Sequence, residues 1–173
     1  MLVQLTMSFV FLFLRLRIKD PAKSIPFYTD LMGMQLVAER HYGPDKGNFS
    51  LYFLCNKDEV DSDLPPSETP EAMEYIKREL YPKSTCVLEL THNHGTEKDD
   101  NFTHHNGNVE PNRGFGHIGY LVDDVEQFCE ELEKAGTKFQ KKPNEGGMKG
   151  LAFALDPDGY WIEIIGRGFS VPE

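Results

Sequence analysis

The chain has 173 residues, 39% hydrophobic and 12% aromatic, which is enough to fill one ordinary core and excludes a large multidomain machine. Eighteen Lys and Arg against 28 Asp and Glu leave a formal charge of −10, so a nucleic-acid backbone is an unfavourable partner. Three cysteines, Cys55, Cys86 and Cys129, form an odd set without CxxC spacing, which argues against a disulfide framework or zinc knuckle and points to a reducing, cytoplasmic compartment.

Met1 to Leu14 is apolar, but no positive charge precedes it and no small-x-small cleavage site follows, so it does not read as a signal peptide. It is also too short to span a bilayer, and no membrane partner is expected. From Phe9 to Ile18 the residues alternate, with Phe11, Phe13, Arg15 and Arg17 on one face and Leu12, Leu14, Leu16 and Ile18 on the other, which predicts a strand. Asp20-Pro21 opens a helix and Gly33 stops it; Pro26 inside removes one backbone bond. Leu51 to Cys55 and Thr85 to Thr91 read as strands. Between them, the Pro65–Pro70 tract and the helix-like stretch Glu71 to Leu80 read as a surface insertion. The polar segment His92 to Arg113 reads as a linking loop, with His92, His94, His104 and His105 solvated.

Past that loop the order recurs. A strand Gly116 to Val122 precedes a helix Asp124 to Ala135 stopped by Gly136, then strands Leu151 to Leu155 and Tyr160 to Ile165 flank the turn Asp156-Pro157-Asp158-Gly159. Superposing Asp20 on Asp124 sets Phe13 against His117 and leaves Glu89 and Glu163 as mid-strand acids, one near the end of each half. The plan is α+β, a duplicated βαβββ unit, with one domain over residues 9–165, modules at about 9–91 and 114–165, and an atypical 1–8 segment.

Glu163 shares a strand face with Trp161 and Ile165, and Glu89 with Val87 and Thr91. A buried carboxylate without a partner costs several kcal/mol, so each acid needs one. A divalent cation held with His117 would serve both, since imidazole plus two carboxylates suits zinc or nickel. The alternative is that each acid meets an Arg or Lys, with His117 a hydrogen-bonded core histidine.

The ordered runs Arg17-Ile18-Lys19-Asp20-Pro21, Leu31-Met32-Gly33-Met34, Leu88-Glu89-Leu90-Thr91-His92-Asn93, Arg113-Gly114-Phe115-Gly116-His117-Ile118-Gly119 and Asp156-Pro157-Asp158-Gly159-Tyr160-Trp161-Ile162-Glu163-Ile164 are specific. Through them the chain resembles glyoxalase I of the vicinal oxygen chelate superfamily, over about Arg15 to Ile165. The resemblance implies a lyase that turns the hemithioacetal of glutathione and methylglyoxal into S-lactoylglutathione. It implies Glu89, His117 and Glu163 as ligands of Zn2+, with Ni2+ as the other candidate, and Glu163 as the catalytic base. It further implies glutathione binding by Arg17, Asn93, Arg113 and Lys141, with His117 and a covering Met148 at the substrate, and a homodimer sharing its sites.

One position departs from the family. Its fourth ligand, commonly Gln, falls four residues before Arg17, where this chain has Phe13, which cannot bind a metal. Upstream, Gln4-Leu5-Thr6-Met7 looks like the family's ligand-bearing motif displaced by an insertion. Reduced metal affinity and turnover are therefore expected, and the alternative function is a weakened or inactive relative acting as a binding protein. An extradiol dioxygenase is disfavoured, because it needs two histidines and one carboxylate around iron whereas the repeat offers only His117.

Overall fold

The computed structural model describes residues 12–83 and 86–169. The 1–8 segment with Gln4 to Met7, the expected start of the first strand at 9–11, and Thr85 lie outside the described residues. The elements run β1 (Phe13–Ile18), α1 (Pro21–Pro26), β2 (Met34–Tyr42), β3 (Phe49–Asn56), α2 (Pro70–Tyr75), β4 (Val87–Asn93), β5 (His117–Val122), α3 (Val125–Lys134), β6 (Lys138–Lys141), β7 (Leu151–Leu155) and β8 (Trp161–Gly166). They form two four-stranded sheets, ordered β1-β4-β3-β2 and β5-β8-β7-β6. In each, the first strand runs parallel to its neighbour while the other pairings are antiparallel, so both halves repeat one topology.

The chain divides into two compact units, one built on the β1–β4 sheet and the other on the β5–β8 sheet together with Lys19–Phe27. Helix α1 therefore groups with the second unit. There Asp158 accepts from the Lys19 backbone N–H at 2.7 Å and from the Ser24 hydroxyl at 2.9 Å. Asp20 caps α1 by accepting from Ala22 N at 3.0 Å. Pro26 has no N–H to continue the helical ladder, and beyond it the helix winds on as a wider π turn over Phe27–Leu31. Asp124 caps α3 in the same way, and Gly136 ends it with φ of 89°.

Two strands, β2 and β6, escape the element reading of the sequence. The buried residues of β2 do not alternate cleanly, β6 is only four residues long, and each carries a bulge, between Leu36 and Ala38 and between Phe139 and Lys141. The stretch after Pro65 also differs from expectation. Ala72, Ile76 and Leu80 are fully buried, packed with Val37, Ala38, Phe53, Cys55 and Val87 as the core of the first unit. Their spacing of four puts them on one helical stripe, so the segment is a core element rather than a surface insertion.

The three cysteines are free thiols. Burial, with a smaller push from the Glu59 charge, raises the Cys55 thiol to about 12, and burial raises Cys129 to about 11 against a small opposing effect of Lys141. Among the described residues no helix is long and apolar enough to cross a membrane. Leu80 is 0% exposed, so Leu80→Ala is expected to lower the unfolding free energy by about 2–5 kcal/mol, measured by urea denaturation.

Candidate metal centre

In the second unit, the tight turn before β8 is held by Asp156, whose carboxylate accepts from the N–H groups of Asp158 at 3.0 Å and Tyr160 at 2.8 Å. Gly159, at φ of 87°, completes the reversal where a side chain would be strained. That turn sets the register of β7 on β8, with Phe153 opposite Glu163. Ile162 and Ile164 are fully buried on one face of β8, which turns Trp161 and Glu163 to the other. The strand thus has one fully apolar face and one face that carries the acid.

On the parallel partner β5, His117 lies opposite Trp161 and Gly119 opposite Glu163. The His117 ring stands edge-on to Phe153 at 5.3 Å, and Phe153 packs on Trp161. His117 Nε2 lies 3.2 Å from Glu163 Oε2, the two side chains being 40% and 20% exposed. A tetrahedral zinc ion with ligands at about 2.0–2.1 Å would separate two donors by about 3.3 Å, so this pair fits a shared cation.

Glu89, in the first unit, has the same strand geometry. Phe13 lies opposite Val87 and Arg15 opposite Glu89, as His117 and Gly119 lie opposite Trp161 and Glu163. Register therefore supports the repeat superposition: Phe13 holds the position equivalent to His117. Where the second unit has a glycine, the first has Arg15, whose Nε lies 2.6 Å from Glu89 Oε1. Glu89 is 3% exposed, and its Oε1 receives no directed hydrogen bond despite that short separation. Arg15 thus balances the charge of the buried Glu89 carboxylate as an ion pair.

The substrate-binding candidates are distributed over both units. In the first, Arg17 donates to Asn93 Oδ1, which brings two of them together at one end of the sheet. In the second, exposed Arg113 pairs with Glu110, Lys141 donates from Nζ to the Leu151 carbonyl at 2.7 Å, and Met148 is 48% exposed.

Of the histidines expected in a solvated loop, His94 is exposed in the turn after β4, but His92 is not in the loop. His92 lies within β4 at 6% exposure and donates to Glu97 at 2.8 Å, while His94 bonds Ser50 and Asn48. Strand β4 continues past Thr91 to Asn93, which carries His92 into the sheet and leaves His94 in the turn beyond.

Residues 10–164 match the Glyoxalase/Bleomycin resistance protein/Dioxygenase superfamily. A lactoylglutathione lyase of Pseudomonas putida is 46% identical over 160 residues, 92% of this chain and 86% of the relative. The chain belongs to the glyoxalase I family. A glyoxalase I of Saccharomyces cerevisiae is also 46% identical over 150 residues, 87% of this chain, but the chain spans only 42% of that relative's length. Among solved structures, the glyoxalase I of Leishmania major, described as trypanothione-dependent, superposes with a TM-score of 0.60 at 26% identity, covering 92% of this chain and 88% of that one. Glyoxalase I is a metal enzyme, and in the second unit the spacing of His117 and Glu163 suits a metal.

In the first unit, Glu97 is held down to about 2 by its own backbone N–H first and by the His92 ring next. A depressed carboxyl contributes stability that is present above its ordinary value of 4.5 and is lost as pH falls from there toward about 2. Thermal melting across that window should therefore fall more steeply for the wild type than for Glu97→Gln.

Proposed function

We propose that the chain is a metal-dependent lactoylglutathione lyase that isomerises the methylglyoxal–glutathione hemithioacetal to S-lactoylglutathione. The facing of His117 and Glu163 across parallel strands, at 3.2 Å, carries this reading. Kinship supports it, since the pseudomonad lactoylglutathione lyase matches nearly end to end. Glu89, His117 and Glu163 hold one divalent ion, zinc or nickel, with Glu89 contributed by one copy of a homodimer and the other two by its partner. The bound ion supplies electrophilic stabilisation to the two adjacent oxygens of the substrate.

The chemistry left to the protein is proton movement. Glu163 takes the proton from the hydroxyl-bearing carbon onto a carboxylate oxygen and returns it to the neighbouring carbon, so no net proton is consumed. Phe153 and Trp161 crowd the His117 side and limit water near the acid. Arg17, aligned by Asn93, receives one glutathione carboxylate, Arg113 and Lys141 supply further positive charge, and Met148 covers the substrate from the glycine-rich 146–150 loop. Such a detoxification suits a cytoplasmic enzyme.

Phe13 and Arg15 favour a second reading, a binding protein with little turnover, because one ligand position is apolar and Glu89 already has a cationic neighbour. One assay separates the two: protein, glutathione and methylglyoxal are mixed with added zinc or nickel, and thioester formation is followed. Turnover that falls by about 10²–10⁴-fold in Glu163→Gln is expected for the lyase. No thioester with either metal, or an unchanged rate in the variant, rejects it. Phe13→Gln should raise metal affinity by on the order of tenfold or more, read by competition with a chelating dye.

A further inference from the structure

A second group of donors lies on the first unit, away from the residues assigned to catalysis. Glu39, His41 and Glu68 each place one ligand atom within 4.8 Å of the others. Glu39 and His41 come from edge strand β2, and Glu68 from the segment that runs beside it. That segment is fixed by backbone rather than by the acid itself: Glu39 N–H donates to the Ser67 carbonyl at 2.9 Å, and the Arg40 guanidinium donates to the Glu68 and Thr69 carbonyls at 3.3 and 2.9 Å. The three donors are thereby held by elements that do not depend on their mutual attraction.

The orientation of the His41 ring is set by a chain of hydrogen bonds behind it. Asn48 Oδ1 can only accept, so His94 donates to it from Nδ1, at 3.1 Å. His94 Nε2 is then a lone pair that accepts from the Ser50 hydroxyl at 2.7 Å, and Ser50 Oγ in turn accepts from His41 Nδ1–H at 2.8 Å. His41 Nε2 faces Glu39 Oε2 at 3.4 Å. The other oxygen of Glu39 is engaged by the Ser67 hydroxyl. In the neutral ring His41 Nε2 is a lone pair facing a carboxylate, with a second carboxylate alongside, a donor set that a cation would bind. A divalent ion balances the two carboxylates, and 3.4 Å is about the donor separation of a tetrahedral zinc site. The Nδ1–H to Ser50 bond is the outer-shell contact that orients a ligating histidine.

We propose that Glu39, His41 and Glu68 form a second divalent-cation site of borderline character, suited to zinc, with Ser50 and His94 as its positioning residues. The site is independent of Glu89. Ser50 and Tyr52 of β3 pair with His41 and Glu39, whereas Phe53 pairs with Glu89, so strand alternation puts the two acids on opposite faces of one sheet. His41 and Glu68 are exposed, which lets the ion exchange with solvent and gives weaker binding than a closed structural site.

The test is equilibrium dialysis of the full chain against zinc chloride, with bound metal counted per chain. The expected result is that His41→Ala and Glu68→Gln each bind one zinc ion fewer than the wild type, while Ser50→Ala keeps that ion at an affinity lowered by about 10–100-fold. Glu68 is exposed, so its variant keeps the test valid should His41→Ala fold poorly. In Glu163→Gln, zinc should still shift the His41 ring resonances in NMR spectra. That arm separates this site from the lyase reading, because loss of the catalytic ion leaves His41 responsive. Unchanged zinc stoichiometry and affinity in His41→Ala and Glu68→Gln, or His41 resonances that do not move at saturating zinc, would overturn the proposal.

Discussion

Parallel pairing of the first and last strand in each unit is the constraint on which the chemistry depends. A parallel register places residues of two distant segments side by side without a hairpin, so an imidazole and a carboxylate 46 positions apart in the chain meet at 3.2 Å. A one-residue slip of β5 on β8 would turn His117 to the opposite face of the sheet and end that contact. On β8 itself the fully buried Ile162 and Ile164 hold the register, because a one-residue slip of that strand would turn them to its other face.

The first unit keeps that frame and changes the side chains on it. Phe13 and Arg15 occupy the places that His117 and Gly119 take in the second. The buried Glu89 is therefore met by a half-exposed guanidinium. Both halves keep one backbone plan, while the side chains at equivalent strand positions differ in chemistry.

Much of this was legible from the sequence. The repeat, the caps at Asp20 and Asp124 and the bounds of β7 follow from short-range patterns that fold locally. The mid-strand acids were visible because a charge inside an apolar run is rare. Strands β2 and β6 were not visible, since each carries a bulge and β6 is only four residues long. The role of Ala72, Ile76 and Leu80 was hidden by the neighbouring prolines, although their spacing carried it. Arg15 reads as a solvent-facing residue until the pairing partner of β1 is known. The bonded chain His41–Ser50–His94 joins two strands and the turn after a third, so only cross-strand register reveals it.

The edge of the first sheet at β2 has one further consequence. Its backbone is partly engaged by the Ser67 carbonyl, while Pro65 and Pro66 just upstream have no N–H to offer. A foreign strand approaching that border would have to displace a segment clamped by Arg40. The same stretch that brings Glu68 to its neighbours thereby guards the sheet against unwanted extension and aggregation along that border.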